Sequence, residues 1–158
     1  MLRKLLTTFE ERFPAPEAEA HCDGPCGVYD PASARIAAEA VVSMTRKINA
    51  LAVPAGDDAA ALRAYQNTMA RYISIKEEQA EVAKRELLIL WTDYFKPTHL
   101  DHFPDLHDTF WKAAKLCSAC KVELSETHAG ELMEAIEKIH GMFWKTKSRD
   151  IAWYTAGI

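Results

Sequence analysis

Long apolar runs are missing from this chain of 158 residues, and none comes near the roughly 20 residues that a membrane-spanning helix needs. No membrane partner is expected. Positive charge is not in excess either. Lys and Arg number 19 against 23 Asp and Glu, a net charge of −4, which argues against nucleic acid as a main partner. Cysteine is sparse, and its placement matters more than its number. Cys22/Cys26 and Cys117/Cys120 are two close pairs, not the spread framework of a disulfide-stapled secreted domain. A reducing, cytoplasmic compartment is the simpler expectation. The period-2 alternation of strands is absent, as is any internal repeat. Glycine and proline do not occur between Asp57 and Lys96, so that stretch can run as one long helix or two abutting ones.

What is present is helical period. Asp30-Pro31 reads as a helix start, with Asp as cap and Pro at the first helical position. Ile36, Ala40, Met44, Ile48 and Leu51 then recur along one face. After a Pro54–Gly56 loop, Asp57 or Asp58 caps a second pattern, with Leu62, Tyr65, Met69 and Tyr72 as one stripe continued by Leu87, Leu90 and Tyr94. Lys96-Pro97 stops it. A third helix is expected over 105–120, and a fourth from Ser125 with Leu132, Ile136, Ile139 and Phe143 on one face. Short links between four amphipathic helices predict an all-α, antiparallel four-helix bundle over 31–148. Residues 149–158 form a tail whose Trp153 and Tyr154 dock or pair between subunits.

The chemistry concentrates just before the first helix, in His21-Cys22-Asp23-Gly24-Pro25-Cys26-Gly27-Val28-Tyr29-Asp30-Pro31. An imidazole, two thiols and a peptide nitrogen lie within six positions, and Gly24-Pro25 supplies a reversal tight enough to bring both sulfurs to one ion. Such soft donors suit Ni(II) or Cu better than Mg or Ca. The preceding residues 1–20 open with basic charge and end in Ala18-Glu19-Ala20, which looks like a cleavage site. Thr7-Thr8 and Glu10-Glu11-Arg12 break any secretory apolar core. A non-secretory leader over 1–20 is therefore weighed against a frayed N-terminal arm.

The run from His21 to Tyr29 resembles the N-terminal metal hook of nickel-containing superoxide dismutases, His-Cys-x-x-Pro-Cys-x-x-Tyr. Leu90-Trp91-Thr92-Asp93-Tyr94-Phe95-Lys96-Pro97 resembles the second signature of that family, and Phe143-Trp144-x-Thr146-Lys147 extends the likeness. The resemblance implies an oxidoreductase that disproportionates superoxide, with one nickel ion per subunit cycling between Ni(II) and Ni(III). It implies removal of residues 1–20 by a maturation protease, so that His21 contributes its α-amine and imidazole, Cys22 its thiolate and amide, and Cys26 its thiolate, from a hook over 21–30. It also implies that Tyr29 and Tyr94 order solvent and limit access, that Asp23 shapes the hook, that Lys96 attracts the anion, and that the chain assembles as a homohexamer. One departure stands out: the family has a Glu that bonds the axial imidazole and an Arg that bonds the Glu, and here Ala37 and Gln79 occupy those positions. Gln79 or Glu39 is the expected substitute acceptor.

Plainer readings accompany each residue. Tyr94 also continues a core stripe, and Lys96 complements a helix C-terminus. His99, His102 and His107 read as solvated loop histidines, Cys117 and Cys120 as half-buried structural thiols, and Trp91, Trp111 and Trp144 as core or interface anchors. The rival to the enzyme is a metallochaperone bundle holding Cu, Zn or Ni at Cys22/Cys26 without redox turnover.

Overall fold

The computed structural model describes residues 27–157. Among these residues there are four α-helices and no strand: α1 (Ala32–Asn49), α2 (Ala59–Ile89), α3 (Leu106–Val122) and α4 (Glu126–Thr146). Each helix packs on its neighbours in sequence, and α4 closes against α1. This is the antiparallel four-helix bundle that the periodicity predicts. The termini follow the local chemistry. Asp30 Oδ1 accepts from the Ala32 amide at 2.8 Å and Pro31 already has helical dihedrals. Asp58 accepts from Ala60 and Ala61 at 2.8 and 3.2 Å, and Ser125 caps α4 through the His128 amide at 3.1 Å. Lys96 is extended (φ −118°, ψ 159°), as the residue before a proline must be.

The α4 stripe is the predicted one, with Leu132, Ile136, Ile139 and Phe143 fully buried. The α1 stripe is only partly so: Ile48 is buried and Ala40, Met44 and Leu51 are half-buried. Ile36 is 57 % exposed, and the buried face is Ala34, Ala37, Ala38, Val41, Thr45 and Ile48. That face is lined largely by alanines, whereas a search for bulky side chains selects a face about 100° away. In α2 the first stripe is likewise only partly covered: Leu62 is 46 % exposed, Tyr65, Met69 and Tyr72 are half-buried, and no residue of α2 before Lys76 is buried.

Lys76 itself is almost completely buried. Its ammonium donates to the Cys120 carbonyl, to Lys121 O at 2.9 Å and to Glu123 O at 3.2 Å, capping the C-terminal end of α3 from the neighbouring helix. Burial pushes its pKa below the usual lysine value, so the site opposes the charge, and the charge-assisted bonds offset that cost. Lys76→Met keeps the length and removes the donors. It should cost about 3 kcal/mol in urea unfolding at fixed protein concentration; a loss under about 0.5 kcal/mol would show that water caps α3 equally well.

The tail docks on its own chain. Arg35 and Glu39 form a buried ion pair at 3.1 Å on α1. The tail covers the pair: the Ala156 amide donates to Glu39 Oε1 at 3.0 Å and the Arg35 guanidinium lies 4.3 Å from the Tyr154 ring centre. Trp153 packs edge-on against His140, whose Nε2 is 2.9 Å from the Ile151 carbonyl.

Candidate functional site

The site is assembled where α2 ends. The last five residues, Leu90–Tyr94, form a π-helical turn closed by Phe95 N to Leu90 O at 3.1 Å. Such a turn inserts one residue into the helical register and re-aims the side chains that follow. It leaves Phe95 in the core while Tyr94 is half-buried at the surface. Tyr94 is held on every side: Tyr29 at 5.4 Å between ring centres, Phe95 at 5.1 Å, His99 at 5.9 Å and Phe143 at 4.6 Å. The Lys147 ammonium sits 5.0 Å from its ring centre, a cation over a π face. Its hydroxyl is hydrogen-bonded to Thr146 Oγ1.

Tyr29 reaches this cluster from the segment entering α1, just after Gly27, whose φ of +66° suits a residue without Cβ. Together Gly27, Tyr29, Asp93, Tyr94, Lys96, His99 and Lys147 line an open cleft of about 380 Å³. Two ammonium groups against one carboxylate make this rim positive on an acidic protein. A second cleft adjoins it, lined by His99 and Thr146 together with His102 and Lys145.

Of the sequence-derived candidates, the structure brings Tyr29, Tyr94 and Lys96 together. His21, Cys22, Asp23 and Cys26 lie outside the described residues. Glu39 is committed to Arg35 and the tail and lines a groove with Gly130, Met133 and Trp153, away from the Tyr29 cleft. His99 is not simply a solvated loop residue: it lines both clefts and accepts from the Lys96 amide through Nδ1 at 3.1 Å. His107 accepts from Trp91 Nε1 at 2.8 Å, and Trp111 is 53 % exposed rather than a core anchor of its own chain. Asp93, Thr146 and Lys147 are the residues that periodicity misses. All three stand inside the two quoted motifs, which was the available signal.

Cys117 and Cys120 are free and fully buried rather than half-buried. Burial raises the Cys117 thiol to about 12 and the Cys120 thiol to about 11, which makes both poor thiolate donors. Among the described residues no group of three His, Cys, Asp or Glu could hold a metal ion. Raised thiol pKa values stabilise the fold only while the unfolded thiols stay protonated. Stability should therefore fall as pH rises from about 9 towards 12. Cys117→Ala should flatten that fall in urea midpoints measured between about pH 9 and 11; an unchanged slope would refute the assignment.

The described residues form a helical bundle with a tyrosine-lined cleft of positive rim where α2 ends, suited to a small anion. The family profile described as nickel-containing superoxide dismutase matches residues 16–147. A superoxide dismutase [Ni] of Streptomyces seoulensis is 40 % identical over 134 residues, spanning 85 % of this chain and 93 % of that protein. Its counterpart in Streptomyces coelicolor is 39 % identical over the same shares. Among solved structures, native nickel superoxide dismutase superposes with a TM-score of 0.68 at 38 % identity, covering 82 % of this chain and 100 % of the other. A form with nickel ligation corresponding to the oxidised state gives 0.68 at 41 % identity with the same coverage. The chain belongs to the nickel-containing superoxide dismutase family.

Proposed function

We propose that this nickel superoxide dismutase holds one nickel ion through His21, Cys22 and Cys26, after proteolytic removal of residues 1–20, and disproportionates superoxide to O2 and H2O2. The observation that carries the reading is the cleft: Gly27, the residue after Cys26, lines it together with Tyr29, Tyr94 and Lys96. The donor set fits the ion. Two thiolates and a deprotonated amide supply the anionic field that a higher oxidation state of nickel needs, and the imidazole adds a further nitrogen. The remaining cysteines are buried and protonated, so they do not compete. Bound nickel would supply the one-electron chemistry that dismutation needs.

The protein residues do the rest. Lys96 and Lys147 give the mouth a positive potential that raises the encounter rate with an anion. Tyr29 and Tyr94 narrow the cleft and order the solvent in it, and Asp23 shapes the hook. Self-association is supported by the partly covered first half of α2, where Leu62, Tyr65, Met69 and Tyr72 lack full burial, and the number six comes from the family resemblance. We place the enzyme in the cytoplasm, where a reducing environment keeps Cys22 and Cys26 available as thiolates.

The test is metal content and superoxide turnover on chain that begins at His21. One nickel per subunit with dismutation that slows as salt rises supports the reading. Copper or zinc without turnover would instead identify a metallochaperone.

A further inference from the structure

Thr146 ends α4, and its hydroxyl decides what Tyr94 can do. Thr146 Oγ1 donates to the Phe143 carbonyl at 2.6 Å. A carbonyl only accepts and a threonine hydroxyl has a single proton, so that proton is spent inside the helix. The hydrogen bond between Tyr94 and Thr146 must therefore run the other way, with the phenol donating. From this count of protons we infer that Thr146 is a positioning residue that takes up the Tyr94 phenolic proton and leaves the phenol an acceptor only, as seen from the cleft.

The ring has little freedom to turn away from this arrangement. Phe143 packs on it at 4.6 Å, Tyr29 at 5.4 Å, and the Lys147 ammonium lies over its face. An acceptor-only phenol sorts small oxygen species by their protons. Superoxide is an anion without a proton to give, so Tyr94 offers it no bond and leaves it to the ammonium groups of Lys96 and Lys147. Water and hydrogen peroxide carry donor protons and can bond to the phenol oxygen. The wall of the cleft thus favours neutral donors at Tyr94 and anions at the lysines. The phenol is then not a proton source for the reaction unless the bond to Thr146 first breaks. This inference rests on the dismutase reading for its consequence, although the direction of the bond does not.

Two measurements on the chain starting at His21 test it. The first needs no metal: tyrosines labelled with ¹³C at Cζ, with the Tyr94 resonance assigned by Tyr94→Phe. A phenol that donates carries its Cζ resonance downfield of one that accepts, so Thr146→Val should move it upfield and Thr146→Ser, which keeps the hydroxyl, should restore it; a downfield move would mean that Thr146 is the donor. The second uses azide as a small monoanion probe against turnover by the nickel-loaded enzyme. Freed of Thr146, the phenol can donate to an anion, so Thr146→Val should tighten azide inhibition about fivefold, by one added hydrogen bond. Thr146→Ser should behave as the parent, and the gain should vanish when Tyr94→Phe is added. An unmoved Cζ resonance, or an azide effect that persists without the phenol, overturns the inference. Absence of turnover in the parent chain would instead count against the dismutase reading and leave the labelled-tyrosine result to decide the direction of the bond.

Discussion

Cys22→Ser and Cys26→Ser are each expected to lower nickel-dependent dismutation by more than about 100-fold while leaving the helices as they are. Removing a hydrogen-bond partner outside a metal's ligand set already costs roughly 10–100-fold, so removing an anionic ligand must exceed that. A serine hydroxyl at neutral pH remains protonated and does not replace a thiolate. The bundle should not respond. Among the described residues its buried apolar side chains run from Ala34 to Phe143, and Asp30 and Pro31 start α1. Far-ultraviolet circular dichroism and the thermal midpoint of the metal-free variants should match the parent. Loss of helicity in either variant would make the cysteines structural and remove the main support for the hook.

Much of this arrangement was legible before any coordinates. Asp58 and Ser125 announce helices because their side chains satisfy amides that a helix start leaves bare. Proline at 97 announces the end of α2 because it bars Lys96 from helical dihedrals. The α4 face was readable since its contacts are large and, His140 under the tail excepted, its polar residues keep to the other side. The α1 face was not, because alanine carries little hydrophobic signal although it lines the buried face, and because Arg35 and Glu39 bury their charges against each other there. The π-helical turn escaped for a different reason: a one-residue change of register is decided by how Tyr94 and Phe95 pack on Phe143 and Phe110, which are distant in sequence. Proton counting at Thr146 likewise needs the actual direction of a side-chain bond. Motif likeness named the neighbourhood, Thr146 and Lys147 included, but only packing shows that they close on Tyr94.

The leader gives the other large effect. While residues 1–20 remain attached, the nitrogen of His21 is a peptide amide rather than an amine. An α-amine has a pKa of about 7.7–8.0 and is available near neutral pH, whereas an amide must surrender a proton from a far weaker acid before it can bind. The full chain of 158 residues should therefore fold its bundle, show the same helicity and thermal midpoint as the shortened form, and yet turn over superoxide more than about 100-fold more slowly after Ni(II) is added, since losing a partner outside the ligand set alone costs roughly 10–100-fold. Cleavage between Ala20 and His21, through an engineered protease site that leaves His21 as the first residue, should restore activity within the same sample. That design separates maturation from folding, since the polypeptide assayed before and after is otherwise identical. Equal turnover in the two forms would remove the amine from the ligands and leave Cys22 and Cys26 to hold the ion with the imidazole alone.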